Sequence, residues 1–334
     1  MWYKLRTYIW VVSLALSLAV QAQELSEEAR ISLITCTPGE ELYARYGHTA
    51  LRVCDPKNDI DIAFNYGIFD FNTDHFYWKF VRGETWYQLG ATPYRWFMRE
   101  YEMTNRPVYE QVLNLSAEDK EILWQKLVDN YRPENRQYLY NFVFDNCATR
   151  PYVMLMSVLC RNSAEMPYST YRGAEGQTYR RFIQHYTPKG SWADFGINLL
   201  FGPKADRKMQ GEERLFLPEE LMEYISQTVK ADGQPLVANE QIAPFVIQAV
   251  PWYATWYFGI AVLFVALAVL SYYDRRRGQR TKWVDWILYT MYAMLLILVT
   301  FLTFFSCHPL VGFGWRLLIL PMTHLCARLV YIVR

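Results

Sequence analysis

The sequence has few cysteines and lacks the patterns that disulfide scaffolds and zinc sites need. Its six cysteines are scattered over 334 residues, and none of them forms a CxxC pair. Such a set is too sparse for a disulfide scaffold, and nothing in its spacing indicates zinc. The chain also has no internal repeat, no low-complexity segment and no metal, nucleotide or flavin signature, so we expect no cofactor.

The chain also has almost no net charge. The formal net charge is +1 at pH 7, and the central region has no cluster of lysine and arginine that could follow a phosphate backbone. We therefore expect no nucleic-acid partner. Aromatic residues, by contrast, are abundant, with 26 Tyr, 19 Phe and 12 Trp, and much of the hydrophobicity lies at the two ends of the chain.

The N-terminal end predicts export from the cytoplasm. Lys4 and Arg6 precede a short apolar run at 9–20, and small residues at 20–22 offer a cleavage site before Gln23. This pattern is typical of a signal peptide, which we assign to residues 1–22. An uncleaved anchor is the alternative, and both interpretations place the following residues outside the cytoplasm.

The C-terminal end predicts a membrane region over 251–334. Residues 252–273 are apolar and free of charge, which is long enough to cross the hydrocarbon layer, with aromatic residues at both edges. The arginine-rich segment 274–282 follows, and positively charged short loops stay in the cytoplasm. A second span is expected at 284–305, returning to the outside.

The last apolar segment is ambiguous. Residues 310–333 contain Arg316, Pro321, His324 and Arg328, so they form either a third span or an interfacial or re-entrant segment. Between the two ends, residues 23–250 are expected to form a periplasmic domain anchored in the inner membrane.

Patterns in this region predict an α+β domain. Short apolar or alternating segments, typical of strands, occur at 31–36, 49–54, 61–68, 86–89 and 106–115. Ser116 and Asp119 open a capping-box pattern that begins a helix. Residues 138–144 are expected to be extended and aromatic, and a helix should follow through Leu159. Together these elements predict an antiparallel sheet with helices packed on it.

Two residues of this domain carry candidate chemistry. His48 lies where a glycine leads into a strand, and Cys147 lies where an extended segment turns into a helix. Backbone N–H groups at a helix N-terminus stabilise a thiolate and can hold an oxyanion. A neighbouring histidine can accept the thiol proton. The alternatives are a buried structural cysteine and a structural histidine, and Pro151 favours a helix that begins near Thr149.

Other cysteines and histidines have weaker cases. Cys36 and Cys54 end two predicted strands, so they are expected to form a disulfide or to be buried thiols. Cys160 is a further rival thiol. His75 is expected in a loop, and His185 has no predicted role. His308, at the membrane face, is expected to contact a headgroup or to cap a helix.

Several stretches resemble one family in particular. The resemblance lies in segments 35–53 (with Tyr46-Gly47-His48-Thr49), 64–71 and 133–136, and it is clearest in Phe144-Asp145-Asn146-Cys147-Ala148-Thr149-Arg150. These stretches resemble the Lnb N-terminal periplasmic domain family, long catalogued as a domain of unknown function. The similarity extends over most of residues 30–250. The tail is short for this family, which usually has more spans.

The resemblance implies a permuted papain-like fold, akin to NlpC/P60 and lecithin:retinol acyltransferase proteins. It also implies lipoprotein N-acylation, in which an acyl chain moves from a phospholipid donor to the α-amino group of a lipoprotein's lipidated cysteine. His48 is then the base and Cys147 the nucleophile, with backbone N–H groups near Ala148 holding the oxyanion. Such sites use a third polar residue to orient the histidine, and we expect Asn65, with Asp61 and Asp70 as alternatives.

Two rival functions stay open on the sequence alone. One is a cysteine amidase or peptidase that uses the same two residues, and the other is a non-catalytic envelope scaffold. An aromatic-rich segment around Trp78, Trp86, Tyr87, Tyr94 and Trp96 is a candidate for contact with lipid headgroups, and ordinary packing is its alternative.

Overall fold

The computed structural model describes residues 24–39, 41, 44–69, 74–161, 167–173, 176–237, 243–246, 249–279 and 281–312. Contacts among them divide the chain into two compact units. The first holds the described residues of Met1–Phe76, Thr85–Gly173 and Gly211–Phe245, and the second holds those of Tyr77–Glu84, Ala174–Gln210 and Val246–Arg334. The predicted domain boundary after residue 250 and the predicted signal peptide remain predictions.

The first unit is built on a six-stranded antiparallel sheet with the order β5-β1-β2-β3-β4-β6. Its strands are β1 (Arg30–Cys36), β2 (His48–Asp55), β3 (Ile60–Ile68), β4 (Trp86–Pro93), β5 (Val108–Val112) and β6 (Gln137–Leu139). A separate two-stranded ribbon joins β7 (Tyr168–Ser169) to β8 (Thr228–Val229). The strands predicted from β1 to β5 are therefore confirmed, with shifts of a few residues at their ends.

The helices are divided between the two units. They are α1 (Phe76–Arg82), α2 (Tyr94–Met103), α3 (Ala117–Tyr131), α4 (Thr149–Leu159), α5 (Tyr179–His185), α6 (Trp192–Leu200), α7 (Pro218–Ser226), α8 (Trp256–Arg277) and α9 (Lys282–Phe305). The predicted helix start is confirmed, because Ser116 Oγ accepts the N–H of Asp119 at 3.1 Å as the N-cap of α3. The Asp119 carboxylate accepts the Ser116 hydroxyl at 2.6 Å rather than the backbone N–H that a full capping box uses.

Both faces of the sheet are covered, which explains why every residue of β1 after Arg30 is buried. On one face lies the main core, where the fully buried Trp124 of α3 meets Phe64 edge-to-face at 6.0 Å. On the other face α2 packs Phe97 and Tyr101 against strand residues that include Ile34, Ala50 and Ala63. Helix α4 packs against α3 and against β2.

One predicted element was wrong. The extended strand expected at 138–144 ends at Leu139, and the chain then turns. The side-chain oxygen of Asn141 accepts the backbone N–H groups of Val143 and Phe144 at 3.1 and 3.0 Å, and Asn141 forms an antiparallel bridge with Asp145. An asparagine that bonds its own backbone in this way favours a turn over a strand.

Of the two alternatives for Cys36 and Cys54, a disulfide or free thiols, the structure shows free thiols. The antiparallel register places Cys36 opposite His48 and Cys54 opposite Arg30, at the two far ends of the β1–β2 pair. A disulfide needs Cα atoms within about 7 Å, so strand ends separated in this way cannot be bridged.

The second unit contains the two predicted membrane spans. Helices α8 and α9 have 22 and 24 residues, reach mean hydropathies of 1.9 and 2.1, and are long and apolar enough to cross a membrane. The third predicted span lies almost entirely outside the described residues. Residues before α8 pack on its first turn, where Phe195 of α6 meets Trp256 at 5.4 Å.

Candidate active site

Cys147 lies in a turn directly before α4, which begins at Thr149. The neighbouring Asn146 fixes this turn. Its Oδ1 accepts the N–H groups of Ala148 and Thr149 at 2.8 and 2.9 Å, and its own N–H donates to Thr149 Oγ1 at 2.8 Å. Asn146, the residue before Cys147, therefore caps the start of α4. Pro151 is accommodated because the first turn of a helix needs no N–H from it.

The same Asn146 also ties the turn to a distant loop. Its Nδ2 donates to the carbonyls of Phe142 and Phe216 at 2.7 and 2.8 Å. The side-chain amide has two donor and two acceptor positions, and all four are used, as a residue that is only 2 % exposed requires. The position of Cys147 is thus set by a fully satisfied buried amide.

His48 is the first residue of β2 and follows Gly47, whose φ is +79°. A side chain on Gly47 would place its Cβ 2.6 Å from the carbonyl oxygen of Cys36, so only glycine fits there. The His48 Nε2 atom lies 2.5 Å from Oδ1 of Asn65 on β3. Nε2–H therefore donates to the amide, and Nδ1 is the ring nitrogen left for another partner.

That partner is Cys147. Gly67, with φ +99°, lies at an irregularity in the β3–β4 pairing, and a Cβ built on it would lie 3.7 Å from Cys147 Cβ and 3.8 Å from His48 Cε1. The glycine therefore sits against both side chains. Packing of α4 on β2 brings the two elements together, and all three side chains of the His48, Asn65 and Cys147 cluster are only half-buried, so a substrate can reach them.

The electrostatics favour an ion pair. Burial by itself raises the pKa of the Cys147 thiol, but the charge of His48, a hydrogen bond from it, and the backbone N–H groups of Thr49 and Cys147 lower that pKa below its ordinary value. Burial by itself lowers the pKa of His48, but the charge and hydrogen bond of Cys147, the hydrogen bond of Asn65 and the charge of Glu100 raise it. Thiolate and imidazolium therefore stabilise each other.

Backbone N–H groups lie beside the sulfur. The N–H of Ala148 is bonded to Asn146 and is not free for a ligand. The N–H groups of Cys147 and Thr49 face the sulfur instead. N–H groups that face the sulfur stabilise the thiolate form of Cys147.

Tyrosines surround the sulfur. The rings of Tyr87 and Tyr140 stack with centroids 4.2 Å apart. Burial, followed by the charge of Cys147, raises the pKa of Tyr87 to about 12, and it raises the pKa values of Tyr138 and Tyr140 as well. With their pKa values raised, these phenols are neutral at physiological pH.

The other predicted candidates lie elsewhere. Asp61 forms a two-bond ion pair with Arg52 at 2.7 and 2.9 Å, and Asp70 lies outside the described residues. Cys36 is buried, and burial raises the pKa of its thiol to about 12. Burial also raises the pKa of Cys160, at the end of α4. These thiols are therefore poorer nucleophiles than Cys147.

The remaining histidines have structural positions. His75 lies in a turn with φ +57°, as expected for a loop residue. His185 ends α5. His308 Nε2–H donates to the carbonyl of Val81 at 3.1 Å, in the last turn of α1, which confirms the helix-capping alternative for this residue.

Asn146, Gly67 and the N–H of Thr49 were not identified from the sequence. Asn146 had a usable signal, because an asparagine three residues before a helical threonine is an N-cap pattern. The other two depend on strand pairing and had none.

Replacing Asn146 with alanine is expected to lower the free energy of unfolding by about 2–4 kcal/mol, because it removes a helix cap and both hydrogen bonds that Asn146 Nδ2 donates to backbone carbonyls. Urea unfolding of the full-length protein in detergent measures this. Asn114→Ala is the matched control, since Asn114 is exposed and its side chain donates one bond, to Pro235 at 3.2 Å. Equal midpoints for the two variants would contradict the role given to Asn146.

Comparison with known proteins agrees with the sequence resemblance. No curated protein and no solved structure matches this chain. Two family models do match, the Lnb N-terminal periplasmic domain over residues 19–177 and the Lnb transmembrane domain over residues 251–334. Together they account for more than two thirds of the chain, with the periplasmic domain before the transmembrane domain. The chain is therefore a membrane protein with a periplasmic domain, and it belongs to the Lnb family.

Proposed function

We infer that this protein is a lipoprotein N-acyltransferase of the inner membrane, with Cys147 as nucleophile, His48 as general base and Asn65 as the residue that orients His48. The observation that carries this inference is the contact of a lowered-pKa thiol with an imidazole whose other nitrogen is held by an amide. The permuted papain-like fold implied by the family resemblance belongs to the same proposal.

The first half-reaction forms a thioester. His48 takes the proton of Cys147, and the thiolate attacks the ester carbonyl of a phospholipid. The N–H groups of Cys147 and Thr49 hold the oxyanion. The ester C–O bond then breaks, the lysophospholipid oxygen takes the proton back from His48, and the acyl chain stays on sulfur.

The second half-reaction transfers the chain to an amine. The α-amino group of the lipidated N-terminal cysteine of a lipoprotein attacks the thioester, His48 accepts its proton, and the C–S bond breaks. The products are an amide and the regenerated Cys147. Membrane helices α8 and α9 keep the enzyme beside both lipid substrates, which raises their effective concentration.

The test is mass spectrometry of lipoprotein N-terminal peptides from cells that lack this protein. Wild type and Cys54→Ser, which changes a free thiol at the far end of β2, are expected to restore the N-acyl chain. Cys147→Ser at equal protein level should not restore it, because a serine hydroxyl beside His48 is far less ionised.

Two results would overturn the proposal. If N-acylation is unchanged in the deletion strain, with no second enzyme of this kind present, the same site would instead be assigned to a cysteine amidase or peptidase. Full restoration by Cys147→Ser would remove Cys147 from the reaction and favour a non-catalytic scaffold.

A further inference from the structure

An open apolar groove of about 520 Å³ lies within the second unit, between α1 and α9. Helix α9 contributes four side chains spaced at i, i+3, i+4 and i+7, so they share one face: Met294, Ile297, Leu298 and Phe301. Helix α1 contributes Tyr77, Trp78 and Val81. No charged side chain lines this α1–α9 groove.

Several contacts fix α1 to the end of α9. The ring of Trp78 meets that of Phe301 at 5.2 Å. The N–H of Cys307 donates to the carbonyl of Arg82 at 2.7 Å. Gly83, with φ +71°, lets His308 approach so closely that a Cβ there would lie 3.2 Å from its backbone nitrogen. The groove is therefore a built feature, with its open side left uncovered by the described residues.

The depth of the groove corresponds to one leaflet. Phe301 and Met294 lie four and eleven residues before Phe305, the last residue of α9. At 1.5 Å per residue the groove extends from about 6 to about 16 Å below the helix end. Half of a hydrocarbon core of about 30 Å is about 15 Å, so the groove ends near the bilayer centre.

The chemistry of α1 suits the headgroup interface at the upper end of the groove. Tyr77 and Trp78 are 77 % and 55 % exposed, and rings of this kind prefer the headgroup level. Lys79 and Arg82 lie away from the groove-facing side of the helix. A short helix with an aromatic side and a basic side suits the membrane surface.

We propose that the α1–α9 groove binds one acyl chain of a membrane glycerophospholipid in the periplasmic leaflet. Length and volume favour this occupant. A membrane-spanning helix is about 10–12 Å wide and about 30 Å long, whereas the groove covers one leaflet and has the volume of a small-ligand site, in the range of about 300–1,000 Å³. That the bound lipid serves as the acyl donor rests on the proposed function, but its binding does not.

The experiment uses the full-length protein in vesicles of phosphatidylethanolamine and phosphatidylglycerol that contain a phospholipid with a photoreactive acyl chain. After illumination, adducts are mapped by mass spectrometry. We expect them to concentrate on the groove residues of α1 and α9 rather than on Phe264, a 71 % exposed residue of α8. Cys147→Ser should give the same adducts, which separates this site from the acyl-transfer chemistry.

Filling the groove provides the decisive comparison. Leu298→Trp is expected to lower groove adducts about tenfold, since the loss of about two buried methylenes is worth that factor. Val265→Trp, at an equally apolar position of α8 that is 59 % exposed and does not line the groove, should leave them unchanged. Equal losses in both variants, or adducts spread evenly over α8 and α9, would overturn the proposal.

A second measurement tests the other possible occupants. A photoreactive benzoyl-phenylalanine at position 297 is expected to capture phospholipid. Cross-linking to residues 313–334 would show that the groove holds this chain's own C-terminal segment, and cross-linking to a second copy would show a dimer contact. Either result would overturn the lipid site.

Discussion

Replacing Cys147 with alanine is expected to lower the rate of acyl transfer by at least about 10³-fold, because removal of a nucleophile leaves only binding and oxyanion contacts. Intact mass spectrometry gives the direct readout. Wild-type protein incubated with phospholipid vesicles should gain the mass of one acyl chain on the peptide that contains Cys147, and hydroxylamine should release it. The alanine variant should gain none.

Cys160→Ala is the matched control for this experiment. Cys160 is a free, partly exposed thiol whose pKa is raised by burial, so its loss should change neither the acyl adduct nor the rate. An acyl adduct of equal yield in Cys147→Ala would show that the chain is carried elsewhere, and the thioester mechanism would fail.

Replacing His48 with alanine is expected to be nearly as damaging, with a loss on the order of 10²–10⁴ in rate. Its more specific effect is on the thiol. In the wild type the pKa of Cys147 lies below its ordinary value because the charge and hydrogen bond of His48, together with two backbone N–H groups, outweigh burial. Without the imidazole, the pKa of the thiol rises. Alkylation of Cys147 at pH 7 should therefore slow by more than about tenfold.

The pH profile of alkylation separates this electrostatic role from simple misfolding. The midpoint should move to higher pH in His48→Ala, while the rate with fully ionised thiolate at high pH should stay similar. Gln88→Ala, on strand β4 of the same sheet, is a control that should leave the midpoint in place. An unmoved midpoint in His48→Ala would mean that His48 does not contact the thiol.

The local elements were largely predictable, because short-range patterns determine them. Ser116 caps α3 through a bond three residues away, and the charge-free lengths of α8 and α9 suffice to identify them. The extended segment after Leu139 was mispredicted since aromatic content favours strands, yet Asn141 bonds its own following backbone and turns the chain.

The candidate site was predictable in its residues but not in its geometry. His48, Asn65 and Cys147 were expected together, and the structure brings them together, while their catalytic roles remain predictions. Asn146, which caps α4 beside Cys147, is held by a bond to the carbonyl of Phe216, 70 residues away. The close approach of Gly67 to the site depends on an irregular strand pairing. Long-range contacts of this kind leave no local pattern.

The division of the chain into interleaved units affects how the protein is made. Residues 77–84 belong with α9, which is synthesised about two hundred residues later. At about 5–20 residues per second this interval lasts roughly 10–40 s. During it Tyr77 and Trp78 emerge without the helix they pack against. A fragment that stops at residue 250 lacks that helix altogether and should aggregate more readily than the complete chain.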